Sequence, residues 1–143
     1  MIFVDPINVL LVDDEVEFLE TLMKRLKKRD VNVASARCGE EAIGMLGREP
    51  VDVVVLDVKM PGMDGIETLR QIKKDHPMIE VIMLTGHANV EVAIQGMETG
   101  AFDYLMKPMD IDELLYKLQD AHKKKLLQER KIRFMEEMTK SGG

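Results

Sequence analysis

Short aliphatic runs alternating with stretches of helical spacing leave this chain few ways to fold. The runs are Ile7–Val12, Val31–Ser35, Asp52–Leu56, Glu80–Leu84 and Phe102–Met106. The middle ones are apolar on both faces, as parallel strands covered by helices on each side must be. Between them, apolar residues recur at helical spacing: Phe18, Leu19, Leu22 and Leu26; Ala42, Ile43 and Leu46; Ile66, Leu69 and Ile72; Val90, Ala93, Ile94 and Met97. A fifth stretch begins after Pro108, with Asp110 placed to cap it ahead of Ile111, Leu114, Leu115 and Leu118. Five strands alternating with five helices predict an α/β fold, a doubly wound five-stranded parallel sheet with helices on both faces. Right-handed crossovers leave few topologies, and at 143 residues the flavodoxin-like strand order 2-1-3-4-5 is favoured.

Composition narrows the function. With 45% hydrophobic and 32% charged residues, the chain can bury a core and is not a disordered segment. No apolar run approaches the roughly 18 residues of a membrane span. The start, MIFVDPINVLLVDDE, lacks a basic n-region and a small-residue cleavage site, so no signal peptide is expected. The single cysteine, Cys38, cannot form an internal disulfide, which fits the cytoplasm. Without Trp, and with 4% aromatic residues, the chain offers no stacking platform for nucleic acid. Charge is unevenly spread. Residues 122–140 hold seven basic side chains against three acidic ones, a net +4, which leaves −10 for the 121 residues before them within an overall −6. The expected division is therefore an acidic domain over 1–121 and a basic helical extension or linker over 122–143. Direct contact with nucleic acid is not expected.

In a sheet of this kind the ligand crevice lies outside the carboxyl ends of the strands. The first run ends at Asp13 and Asp14, the third at Asp57, the fourth at Thr85, and the fifth at Lys107 and Pro108; the second contributes nothing comparable. Polar residues ordinarily resume at strand ends, but four of the five ends supply one coherent set. Three crowded carboxylates repel unless a cation sits among them. Oxygen ligands on short loops suit Mg²⁺. A carboxylate at the end of the third strand can attack phosphorus and form an acyl phosphate. A metal, an ammonium and a hydroxyl would then neutralise the equatorial oxygens of the transferring group.

The segments VDDE at 12–15, LDVKMPGMDG at 56–65, MLTGHA at 83–88 and YLMKP at 104–108 resemble the receiver domain of bacterial two-component response regulators. The resemblance covers about residues 7–121. The stretch GHANVEVAIQGMETGAFDYLMKP is similar to receivers heading nitrogen-regulation-type, sigma-factor-dependent activators. It implies that Asp57 accepts phosphate from a histidine kinase or phosphotransfer protein. Asp14 then corresponds to the direct Mg²⁺ ligand, Asp13 to the residue holding the ion through water, and the Lys59 backbone carbonyl, with Asp57 itself, to the remaining protein ligands. Thr85 corresponds to the hydroxyl that moves toward the phosphate and Lys107 to the ammonium that grips it. Tyr104 matches the aromatic switch whose ring turns inward, and Gly86 the small residue that leaves the phosphate accessible. The family also implies a cis Lys107–Pro108 bond, and places Lys59 and His87 at variable positions that tune dephosphorylation. The implied protein is a cytoplasmic switch in transcription regulation. It catalyses only its own phosphorylation and slow dephosphorylation, and signals through the face of the fourth helix, fifth strand and fifth helix.

Rival functions fit less well. A Mg²⁺-dependent aspartyl-phosphate phosphatase needs a second Asp two residues after its nucleophile, where this chain has Lys59. A flavodoxin needs a Ser/Thr/Gly-rich loop after the first strand, where VDDEVEF would repel phosphate. A phosphorylation-independent, receiver-like binding module has no use for an intact acidic pocket. Some residues also have plainer readings. Tyr104 fits an ordinary partly buried aromatic and His87 a solvent-facing loop residue; Pro61, Gly62 and Gly65 shape the loop after Asp57. Cys38 is incidental, and the 12 Met residues read first as core filler and second as an adaptable binding face.

The tail has two readings. From Asp110 to Met138 no Pro or Gly breaks the helix, which would run about 44 Å at 1.5 Å per residue. Its core stripe, Ile111 to Ala121, stops at Lys123–Lys125, and apolar residues return as Leu126, Leu127, Ile132, Phe134, Met135 and Met138. The segment is either a basic linker or a helix that docks on a second copy to form a phosphorylation-dependent homodimer.

Overall fold

A computed structural model describes residues 6–58, 64–86 and 90–141. Strands and helices alternate throughout: β1 (Asn8–Val12), α1 (Val16–Lys27), β2 (Asn32–Ala36), α2 (Gly39–Leu46), β3 (Val53–Asp57), α3 (Gly65–Asp75), β4 (Glu80–Thr85), α4 (Val90–Thr99), β5 (Asp103–Met106) and α5 (Ile111–Ser141). The strands form one parallel sheet in the order β2-β1-β3-β4-β5, as the sequence pattern predicts.

Two apolar layers sandwich the sheet. On one face Leu19, Leu22 and Leu26 of α1 and Leu114, Leu118 and Ala121 of α5 pack against Val9, Leu11, Val53, Val55, Ile82 and Leu84. On the other, Ala42 and Leu46 of α2 and Ile66, Leu69 and Ile72 of α3 pack against Leu10, Val12, Val54, Leu56, Val81 and Met83. Alternate residues of each central strand thus serve opposite layers, which is why β3 and β4 are buried along their whole length.

The carboxyl ends of the strands run slightly further than the aliphatic pattern suggests. Asp57 and Thr85 are the last residues of β3 and β4 rather than the first residues beyond them. The ladder is the reason: Asp57 pairs with Leu84, Val58 N–H donates to the Leu84 carbonyl at 3.2 Å, and Lys107 N–H donates to the Thr85 carbonyl at 2.8 Å. Backbone pairing extends as far as a neighbour offers partners, whatever the polarity of the side chains. Asp57 and Thr85 are therefore held within the sheet ladder, and Asp13 and Lys107, just past β1 and β5, are tied to neighbouring strands through their own N–H groups, which donate to Ala36 and Thr85.

Local signals set the helix starts. Asp64 caps α3 by accepting the Glu67 N–H at 2.8 Å, and Asp110 accepts the Asp112 N–H at 2.9 Å ahead of α5. Gly65 is required at its position, because a Cβ there would lie 2.4 Å from Val58 Cα. The helix α5 has 31 residues, about 46 Å at 1.5 Å per residue.

The first turn of α5 beyond Ala121 remains attached to the sheet. Lys125 Nζ lies 3.0 Å from Asp52 Oδ1, and Lys124 Nζ lies 3.3 Å from the buried Glu80 carboxylate. Further along, Leu126, Leu127, Ile132, Phe134, Met135 and Met138 are exposed. Among the described residues, no helix is long and apolar enough to cross a membrane.

Candidate functional site

Four strand ends meet at one edge of the sheet. The end of β1 delivers Asp13 and Asp14, β3 delivers Asp57, β4 delivers Thr85, and the turn after β5 delivers Lys107. Carboxylate oxygens of Asp13, Asp14 and Asp57 all lie within 4.8 Å of one another. Asp13 and Asp57 are buried, whereas Asp14 is exposed. Among the described residues this is the one group of acidic, His or Cys side chains close enough to share a metal ion.

Such crowding is unfavourable without positive charge, and Lys107 supplies some. Its Nζ lies 2.8 Å from Asp13 Oδ2 and 3.7 Å from Asp57 Oδ2, so it is bonded to Asp13 and only adjacent to Asp57. The resemblance implies that Lys107 grips phosphate on Asp57; in the folded chain its ammonium lies closer to the neighbouring Asp13 carboxylate. Burial by itself would lower the Lys107 pKa. The hydrogen bond to Asp13 and the charges of Asp57, Asp13 and Glu15 outweigh it, and the ammonium titrates above the ordinary lysine value. Asp13 is fixed on its other side, where Oδ1 accepts the Glu15 N–H at 3.0 Å. The Lys107–Pro108 peptide is cis.

One contact at this edge escapes a reading of the sequence. Lys107 Nζ stands 4.4 Å from the centroid of the Phe18 ring. Phe18 reads as one more apolar position in the α1 stripe. The available signal is its place four residues after Asp14, one helical turn away, where side chains lean back toward the N-terminus.

Thr85 is buried, and its hydroxyl donates to the Leu105 carbonyl at 3.5 Å, the outer limit of a hydrogen bond. Tyr104, one strand over, is 41% exposed and stands at the surface. Between them and α4 lies a cavity of about 260 Å³, lined chiefly by Thr85, Val90, Ile94, Met97, Tyr104 and Met106. A Cβ on Gly86 would meet open space. Lys59, Pro61, Gly62 and His87 lie outside the described residues.

Residues 9–119 match the family model described as the response regulator receiver domain. The chain belongs to that family. Curated relatives of this receiver include transcriptional regulatory protein ZraR of Escherichia coli (strain K12), 40% identical over 117 residues, which are 82% of this chain and 26% of that protein. DNA-binding transcriptional regulator NtrC of Salmonella typhimurium is 38% identical over 113 residues, 79% of this chain and 24% of that protein. The receiver thus spans about a quarter of the length of these relatives. Both relatives are named as transcriptional regulators. Among solved structures, a response regulator receiver domain protein from Clostridium thermocellum superposes with a TM-score of 0.82 at 35% identity, covering 85% of this chain and 98% of that one.

Proposed function

We propose that this receiver is a phosphoacceptor switch, with Asp57 taking the phosphoryl group from a histidine kinase or phosphotransfer protein. The observation that carries this reading is the meeting of Asp13, Asp14 and Asp57 within 4.8 Å, with the Lys107 ammonium beside them, at the carboxyl edge of the sheet. An Asp57 carboxylate oxygen attacks phosphorus on the donor histidine. The new O–P bond forms as the N–P bond breaks, and the imidazole nitrogen leaves with that electron pair and takes up a proton. Hydrolysis reverses the state: water attacks the same phosphorus, the Asp57 O–P bond breaks, and inorganic phosphate leaves as the carboxylate is restored.

The donor set suits Mg²⁺, since it offers hard oxygens and few protein ligands. Asp14, Asp13 and Asp57 would hold the ion together with the backbone carbonyl of Lys59. Bound there, Mg²⁺ supplies positive charge to the phosphoryl oxygens. The protein's own residues do the rest. Lys107 turns from Asp13 toward the new negative charge on Asp57, Thr85 gives up its long bond to Leu105 for a phosphoryl oxygen, and Tyr104 follows into the cavity beside it.

On this reading residues 1–121 are the receiver and 122–143 lead toward an output domain that regulates transcription in the cytoplasm. The α4–β5–α5 face carries the signal, and the exposed apolar residues of the tail pair with a second copy. Intact-mass spectrometry after incubation with acetyl phosphate and Mg²⁺ tests the central assignment. The chain should gain one phosphoryl group and Asp57→Asn none. A variant that gains it as efficiently as the parent would remove Asp57 from the role.

A further inference from the structure

We propose that Phe18 is a positioning residue for phosphoryl transfer, its ring face seating the Lys107 ammonium beside the acidic cluster. The inference rests on Asp57 being the phosphoacceptor. Among the described residues, Lys107 Nζ lies near two carboxylates and one ring: Asp13 Oδ2 at 2.8 Å, Asp57 Oδ2 at 3.7 Å and the Phe18 ring centroid at 4.4 Å. An ammonium has three N–H donors and no acceptor. One donor is committed to Asp13, and the distance to Asp57 is too long for a good hydrogen bond.

The chemistry of the third neighbour matters for what Lys107 must do next. An aromatic face attracts a cation through its quadrupole. It does so without taking a strong hydrogen bond, so the charge is held while its donors stay available. A carboxylate or carbonyl in the place of the ring would occupy a donor. An aliphatic side chain would desolvate the ammonium and give nothing back. The long stem of a lysine samples many rotamers, and the ring narrows that range to positions from which phosphoryl oxygens on Asp57 are in reach.

Phe18 itself is held in place. It packs against the layer containing Leu19, Leu22 and Leu114, and lies in the first turn of α1, four residues after Asp14. Its ring therefore links the helix that begins at the acidic pair to the lysine that arrives after β5. The plainer alternative is that Phe18 only fills space at the edge of that layer, and the two roles differ in one respect. A space-filling residue is indifferent to the charge on Lys107.

The full chain is compared with Phe18→Leu, which stays apolar but loses the ring, and with Phe18→Tyr, which keeps it. Two readouts are needed. Melting of the metal-free protein in a cycle with Lys107→Met should show a larger loss from Phe18→Leu when Lys107 is present than when it is absent. Phosphorylation of Asp57 by acetyl phosphate should slow about 3–10-fold in Phe18→Leu, the range that one cation–π contact carries. Phe18→Tyr should recover most of that rate, and the Kd for Mg²⁺ measured by calorimetry should stay within about two-fold of the parent's, far less than the 10–100-fold seen when a ligand's supporting partner is lost. Additive melting effects, or a Phe18→Leu variant phosphorylated at the parental rate, would overturn the role of Phe18 alone. If the parent chain itself gains no phosphate at Asp57, the phosphoacceptor reading fails and this inference falls with it.

Discussion

Replacing Asp52 should loosen the root of the extended helix without touching the acidic edge at the other end of the strands. Asp52 precedes β3, and three groups converge on its carboxylate. Oδ2 accepts the Asn8 N–H at 2.9 Å, Lys125 Nζ lies 3.0 Å from Oδ1, and His122 Nε2 lies 3.7 Å from Oδ2. Beside it, the Glu80 carboxylate is buried and meets Lys124 at 3.3 Å and Lys73 at 3.6 Å. Asp52→Ala removes a hydrogen bond to a charged acceptor, about 1.5–3 kcal/mol, and a partly exposed ion pair adding about 1 kcal/mol at most. The sum of about 2–4 kcal/mol corresponds to a fall in Tm of roughly 6–12 °C for a chain of this size. Asp52→Asn keeps an acceptor for the Asn8 N–H and loses only the charge, so its fall should be nearer 3 °C. Lys123, exposed on the same turn, should be replaceable by alanine at no cost. Hydrogen exchange reads the local effect. Amides from 122 to 129 should exchange about five-fold faster for each kcal/mol lost at the root. If Asp52→Asn leaves those amides as protected as in the parent, or Lys123→Ala loosens them equally, the basic turn is not clasped to the sheet.

Mg²⁺ at 100 times its Kd should add about 2.7 kcal/mol of stability, and Asp14→Ala should abolish most of that gain; an undiminished shift in melts with and without chelator would exclude Asp14 as a ligand. Lys107 and Lys125 both titrate above the ordinary lysine value of 10.5, the first despite burial through Asp13 and Asp57, the second despite burial through Glu129 and Asp52. A raised ammonium pKa means that its stabilising contribution is complete below that ordinary value and is lost as pH climbs through the folded one. The part of the stability owed to these two lysines should therefore be lost only in strong alkali, and Asp52→Asn should flatten part of that loss in urea melts; an alkaline decline as steep in Asp52→Asn as in the parent would contradict the role of Lys125. Gly65→Ala drives a Cβ to 2.4 Å from Val58 Cα and should lower stability by about 1–3 kcal/mol, with slower phosphorylation of the adjacent Asp57. An unchanged melt would mean that the α3 start shifts freely. Light scattering on chains ending at Gly143 and at Ala121, with and without beryllofluoride, should show association only in the longer one; identical masses in both would make the tail a linker.

Much of the molecule was legible from local pattern. Hydrophobic period is written residue by residue, so the alternation of strands and helices, the both-face burial of β3 and β4, and the cap at Asp110 follow from short windows of sequence. Handedness of crossovers then restricts the sheet order. Gathering Asp13, Asp14 and Asp57 at one edge also follows, because in a parallel sheet every carboxyl end points the same way. The length of α5 was readable for the same kind of reason, since no helix breaker occurs within it.

Which side chains then touch was decided by the tertiary structure. Lys107 and Asp13 are 94 residues apart in the chain, yet their bond at 2.8 Å is closer than that between Lys107 and Asp57. Phe18 looks like core in a helical stripe and comes to face the Lys107 ammonium only when β5 brings that residue across it. Tyr104 stands at the surface above an apolar cavity, a position that strand periodicity cannot assign on an edge strand with one face open. Asp52 and Glu80 read as the polar starts of two strands, and the fold turns them into anchors for a basic run some 70 and 45 residues later. The physical reason is common to all four. Periodicity tells which face of an element is apolar, whereas the reach of a particular carboxylate, ring or ammonium depends on sheet twist and helix placement, which no short stretch of sequence contains.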